Sequence, residues 1–251
     1  MCRPIRAVLA ILAMALALGF AGPVVASEPP SVLRQAVPKV VGSRYGGPLA
    51  TLGSAVTIGD RLAITAYHVV AESGSLALVF LDGTSVPVRP VLLEPAADLA
   101  VLRADRTLPA RPFRLRETAV RPGEPQTVVG YRQDFRDQPS IKSGKVTGQV
   151  LPGAPGPDGR DWPLIVSDTA ASFGDSGGAV LDADSRLTGI VRGGMTTGHA
   201  PALLSTPAAA IGAYLARGWV LDRHGNPVVS QQGAPGLAFQ PYPFASLWWR
   251  W

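Results

Sequence analysis

Between residues 37 and 204 the chain is built from short runs of alternating or β-branched apolar residues, each cut off by Gly, Pro or Asp. That punctuation leaves little room for anything but strands. Runs at 37–45, 49–58, 61–66, 75–81, 85–93 and 98–103 carry the two-residue period of half-buried strands. Asp82-Gly83, lying between two of them, is a tight hairpin turn. A second set follows at 126–131, 141–151, 164–167, 178–181, 186–192 and 201–204, after a Pro- and Arg-rich stretch near 104–125. Two such groups predict an all-β fold of two six-stranded antiparallel β-barrels, about 37–118 and 124–205, with a C-terminal helix over 207–217. Thr206 suits the N-cap of that helix and Pro207 its first position. Ile211 and Leu215 share one face, and Gly218 ends it. The stretch 152–163 reads as a Gly/Pro-rich surface loop, and 219–251 as an irregular tail rich in Pro and aromatics.

The front of the chain has a different character. Arg3 and Arg6 precede an apolar run over 7–21 that closes on Ala26, the pattern of a secretory signal peptide over 1–26. The run is short for a bilayer span and no longer one follows, so no transmembrane segment is expected after signal removal. The only cysteine, Cys2, leaves with the signal, which removes disulfides and cysteine-based metal or redox chemistry from the mature chain. Loss of Arg3 and Arg6 leaves 21 basic against 18 acidic residues, a net charge of +3 in place of +5. Arg103, Arg106, Arg111, Arg114, Arg116 and Arg121 cluster in the connecting stretch. With Phe113 as the sole aromatic among them they read as a solvated connector, and no nucleic-acid partner is expected.

Three segments carry chemistry. Ser172-Phe173-Gly174-Asp175-Ser176-Gly177-Gly178 offers a serine on a glycine-flanked turn, where backbone N–H groups could face a substrate carbonyl. Thr65-Ala66-Tyr67-His68-Val69-Val70 places one of only three histidines directly after an apolar strand. Ala97-Asp98-Leu99-Ala100-Val101-Leu102 opens a strand with an aspartate.

TAYHVV, ADLAVLR and GDSGG resemble the histidine, aspartate and nucleophile motifs of chymotrypsin-like serine proteases, in that family's order of His, Asp, Ser. More narrowly, SIKSGKV and LIVSDTAASFGDSGGAVLDADSRLTGIV resemble the bacterial HtrA/Deg proteases, the likeness running from about Val37 to Gly218. It implies a chymotrypsin-like protease domain over 27–218. The thirty or so residues beyond it do not fit a PDZ domain, which HtrA/Deg proteases carry after the protease. Tyr67 departs from the family's small alanine.

What the resemblance implies is a secreted or periplasmic serine endopeptidase acting on proteins or peptides with no metal or other cofactor. His68, Asp98 and Ser176 would be the triad, and the N–H groups of Gly174 and Ser176 the oxyanion hole. The pocket would be walled by Ala170, Ala171, Ser172, Phe173, Arg192, Gly193 and Gly194. Ala170 stands where trypsin-like enzymes hold an aspartate, so a small or aliphatic residue before the cut is expected. Rival readings are a catalytically silent peptide-binding or chaperone-like module on the same fold, and an esterase.

Two residues pose open choices. Lys39-Val40-Val41-Gly42 resembles a zymogen activation site, whose freed N-terminus would pair with Asp175. The favoured alternative puts Val40 in the first strand, leaving Asp175 to an internal partner such as an arginine. Arg192 aligns where the family's serine touches the catalytic aspartate, and it points either inward at Asp98 or, as favoured, outward along the substrate groove, there being few partners to bury it with.

Overall fold

Alternating apolar residues pair as strands, and the polar breaks between them become turns. The structure, a computed structural model, describes residues 29–44, 47–132, 137–150, 163–197 and 200–216, with the backbone of 220–221 and 227–228. The expected signal peptide, Gly218, nearly all of the 152–163 loop and most of the tail lie outside the described residues.

The first sheet contains β1 (Lys39–Arg44), β2 (Leu49–Ser54), β3 (Val56–Gly59), β4 (Leu62–Thr65), β5 (Ser73–Val79), β6 (Ser85–Glu94) and β7 (Leu99–Ala104). They lie in the order β2-β1-β5-β6-β7-β4-β3, every pair antiparallel. The run expected as one strand over 49–58 is broken at Ala55, whose N–H bonds the Pro38 carbonyl at 2.9 Å instead of a ladder partner. Its halves take the two edges, so the edges are one residue apart in the chain and the sheet curls back on itself. Asp82-Gly83 makes the predicted hairpin, with Gly83 at φ 81° and the Thr84 N–H held by the Asp82 carboxylate at 2.9 Å.

The second sheet contains β8 (Pro125–Gly130), β9 (Ser140–Val150), β10 (Leu164–Ser167), β11 (Ala179–Leu181), β12 (Leu187–Thr197) and β13 (Ala200–Pro207). It closes as a barrel in the order β10-β13-β12-β11-β8-β9. Both β12 and β13 run past the expected 186–192 and 201–204, because Gly193 and Gly194 pair with Leu204 and Leu203 and carry the ladder onward.

Three helices complete the described fold. Unforeseen α1 (Pro30–Gln35) starts on a proline and buries Leu33, in a main core shared with Val37 just after it, Ile64, Leu99 and Val101 of the first sheet and Val129, Leu181, Leu187 and Ile190 of the barrel. One turn, α2 (Tyr67–Val70), follows β4. The C-terminal helix α3 (Ala208–Ala216) packs Ile211 and Tyr214 into the same core, with Leu215 partly buried against it. Its start differs from expectation. Pro207 ends β13 and is not the first helical residue, and the Thr206 hydroxyl donates to the Ala97 carbonyl at 3.0 Å in place of capping. In the tail, expected to be irregular, β14 (Val220–Leu221) and β15 (Pro227–Val228) pair antiparallel. No helix among the described residues is long and apolar enough to cross a membrane.

The connector is not simply solvated. Phe113 N–H bonds Thr57 O, and Leu187 exchanges backbone bonds with Arg114 and Arg116, tying the two sheets together. The Arg116 side chain, 13 % exposed, clamps Glu124 at 2.6 Å and lies 3.6 Å from Asp182. That bond holds the Glu124 carboxyl below the usual carboxylate range.

Candidate active site

Ser176 lies half-buried on a turn between Gly174 and Gly177, whose φ values are 91° and 81°. Left-handed backbone of this kind strains any residue with a β-carbon. At Gly177 there is also no room, since a β-carbon would sit 2.1 Å from the Ser54 carbonyl oxygen. The turn is closed by Asp175 N–H on Ser172 O at 3.1 Å and Gly178 N–H on Asp175 O at 2.8 Å. Neither the Gly174 nor the Ser176 N–H donates to an acceptor among the described residues.

His68 is the second residue of α2. Val69 and Val70 face the core, which leaves the imidazole on the open side with 45 % of its side chain exposed. Asp98, expected to open the strand, sits instead in the turn just before β7, which starts one residue later at Leu99, with its N–H on Pro95 O and φ 51°. Aspartate tolerates that left-handed region better than most residues. Its Oδ2 meets His68 Nδ1 at 2.8 Å, and its Oδ1 accepts the His68 backbone N–H at 2.9 Å. One carboxylate therefore fixes both the ring and the helical turn that carries it.

The sites on the two sheets are joined by a residue that sequence reasoning missed. Ser54, at the end of β2, donates its backbone N–H to Ser176 O at 2.8 Å and its hydroxyl to Gly174 O at 2.7 Å. The same hydroxyl accepts the Tyr131 N–H at 2.8 Å, and the Ser54 carbonyl accepts the Thr65 hydroxyl at 2.6 Å. Beside it, a β-carbon on Gly53 would lie 2.8 Å from both Ser176 O and a Val69 methyl, so only glycine lets the serine turn and the His68 helix come this close. Thr206 makes the matching tie from the barrel to the Asp98 turn. A lone serine at a strand end gives no signal in sequence.

Asp175 is fully buried. Its Oδ2 takes Lys142 Nζ at 2.6 Å and the Ser172 N–H at 2.7 Å, while Oδ1 receives no hydrogen bond among the described residues. The internal partner is thus a lysine and not an arginine. Lys142 Nζ also donates to Ala170 O at 2.7 Å. Val40 is fully buried in β1, paired with Gly53 on one side and Leu78 on the other, as the strand reading requires.

Around the serine, Ala170 and Phe173 are exposed, Phe173 by 70 %; Ala171, Ser172 and Gly194 are half-buried and Gly193 is buried. A β-carbon on Gly194 would stand 3.0 Å from that of Ala171, so these two walls are packed against each other with no room for a further methyl group. Arg192 departs from the favoured outward pose. Its Nε lies 3.8 Å from Asp98 Oδ2, with 25 % of the side chain exposed. The partial exposure and the one nearby carboxylate meet much of the desolvation cost that argued against the inward pose.

The family described as trypsin-like peptidase domain matches residues 53–190, more than half of the chain. Serine protease HTRA2, mitochondrial, of Bos taurus is 29 % identical over 153 residues, covering 60 % of this chain and 33 % of the relative. Serine protease HTRA1A of Danio rerio is 29 % identical over 156 residues, covering 61 % and 32 %. The chain thus matches about a third of the length of these curated relatives. Among solved structures, HtrA-type protease AlgW with a tripeptide is 25 % identical at a TM-score of 0.58, covering 70 % of this chain and 57 % of that one. The serine endoprotease from Yersinia pestis is 21 % identical at a TM-score of 0.60, covering 74 % and 63 %.

Proposed function

The chain belongs to the trypsin-like peptidase domain family, and from that premise we propose that it is an exported serine endopeptidase with His68, Asp98 and Ser176 as its triad. The observation that carries the reading is the 2.8 Å contact of an exposed His68 ring, through Nδ1, with the Asp98 carboxylate, on a helical turn packed through Gly53 against the Ser176 turn.

In this reading Ser176 Oγ attacks the scissile carbonyl carbon while its proton passes to His68 Nε2. Asp98 holds the ring with Nδ1 protonated and balances the imidazolium charge. The Gly174 and Ser176 N–H groups, unclaimed by other acceptors among the described residues, take up the oxyanion. Collapse breaks the C–N bond and returns the proton to the leaving amine. Water then repeats the sequence on the acyl-enzyme and frees the acid. Every proton is carried by the chain's own residues.

Ala170, standing where trypsin-like enzymes hold an aspartate, leaves no carboxylate there for Lys or Arg and supports a small or aliphatic residue before the cut. Peptides are the expected substrates, in keeping with the peptide-bound AlgW structure. Export rests on the basic and apolar pattern of 1–26. A fluorophosphonate probe tests the chemistry. It should label Ser176 in the parent, and a protein that takes up no label would be the silent module instead.

A further inference from the structure

The strand that carries Arg192 is tied directly to the serine turn. Val191 O accepts the Gly177 N–H at 2.8 Å, and Val191 N–H donates to Gly178 O at 2.9 Å. The next residue falls out of register, since Val191 pairs with Ser205 while Gly193 pairs with Leu204. Arg192 is therefore the extra residue of a β-bulge, a device that re-aims a side chain. Here it aims a guanidinium at the Asp98 Oδ2 that already holds His68 Nδ1. At 3.8 Å the contact is inside the range of charge attraction and outside that of a hydrogen bond.

We propose that Arg192 is a positioning residue that brakes the Asp98–His68 pair, and that an acidic side chain on the substrate releases the brake. This rests on the endopeptidase reading above. Attack by Ser176 turns His68 into an imidazolium, so the ring and the guanidinium become two cations competing for one carboxylate oxygen. The resting protein gains nothing in rate from the second cation, and the transition state loses by it. Among the described residues the Arg192 side chain makes no hydrogen bond, and no carboxylate but Asp98 lies within ion-pair range of it. Its fork of N–H donors is therefore unfilled, and a carboxylate can take it in charge-assisted bonds. Gly193 and Gly194 follow it with no side chains to screen the approach. A bound acidic side chain would neutralise the guanidinium and leave Oδ2 to His68. The preference for acidic substrates should then appear in kcat more than in KM.

The test pairs the parent with Arg192→Gln, and uses peptides that carry Glu or its neutral isostere Gln at each of the three positions before the cut. In the parent the best-placed Glu peptide should exceed its Gln twin in kcat by about tenfold. Arg192→Gln should raise kcat on the Gln peptide by roughly three- to thirtyfold with KM little changed, and should abolish the Glu advantage. Arg192→Lys, which restores the charge, should restore most of the brake. An unchanged kcat on the Gln peptide, or a Glu advantage that survives the substitution, overturns the proposal. The low-field resonance of the His68 ring N–H, recorded without substrate, separates this idea from the endopeptidase reading. Arg192→Gln should move it further downfield even in a protein that hydrolyses nothing. A resonance that stays put removes the brake and leaves the hydrolase reading standing.

Discussion

In the closed barrel the carboxylate beside the serine, Asp175, is fully buried and locked to Lys142 at 2.6 Å, whereas in the curled first sheet the carboxylate beside the imidazole, Asp98, retains some exposure and has both His68 at 2.8 Å and Arg192 at 3.8 Å on its Oδ2. The first is a closed ion pair whose charge is spent on shaping a turn: Lys142 reaches Ala170, and Asp175 reaches the Ser172 N–H. The second has charge left to share with a reacting group. A buried pair fixed by short contacts suits the part of a site that must not move. A carboxylate with competing partners suits the part whose charge changes during a reaction.

The sharpest way to break that contrast is to remove the reacting groups. Ser176→Ala and His68→Ala should each lower peptide hydrolysis by roughly 10⁴- to 10⁶-fold with little change in thermal midpoint. Neither side chain belongs to the buried core. Near-normal turnover in either variant would dismiss the triad.

The buried pair should respond in the opposite currency. Lys142→Met strands a buried carboxylate and should cost about 3–5 kcal/mol of stability in urea, with activity falling as the Ala170–Asp175 turn loosens. Adding Asp175→Asn removes the stranded charge and should recover much of that stability. A single variant as stable as the parent would mean the pair is not the anchor described here.

Ser54 sits between the two regions and should show a smaller, mixed effect. Ser54→Ala leaves the buried Tyr131 N–H without its acceptor and frees Gly174 O, a loss of about 1–3 kcal/mol. Hydrolysis should drop while the His68–Asp98 resonance stays in place, because none of Ser54's bonds reach that pair. A shift in that resonance would show that the two regions are coupled through β2.

How far the site could be read beforehand follows the same division. GDSGG, TAYHVV and ADLAVLR mark the candidate residues because each motif is a run of immediate neighbours, and alternation marks the strands because burial of one face has a local period. What escaped depends on distant partners. The break at Ala55 answers to the Pro38 carbonyl, and Thr206 abandons a helix cap for a carbonyl 109 residues away. Lys142, and not an arginine, reaches Asp175 because β9 runs beside β8 and the serine turn. Arg192 turns inward because of a bulge, and a bulge is a mismatch between two strands that neither strand shows alone. At α1, six residues are too few to show a period.

The weakest effect concerns the connector, far from either carboxylate of the site. Glu124 is held below the usual carboxylate range, first by its hydrogen bond from Arg116 and then by that charge and the Arg121 N–H. A group whose folded value is depressed adds stability above its unfolded value and loses it as pH falls through the folded one. The Arg116–Glu124 clamp should therefore add stability near neutrality and fade in acid. Glu124→Gln should lower the thermal midpoint slightly at about pH 7, and the gap to the parent should shrink as pH falls through the acid range. The site should be indifferent to this change, with kcat and KM unaltered at neutral pH. No gap at any pH would show that Arg116 is held by Asp182 instead, and a gap that widens in acid would reverse the sign of the linkage. A change in kcat would show that the connector, and not Ser54 and Thr206 alone, sets how the two sheets meet at the site.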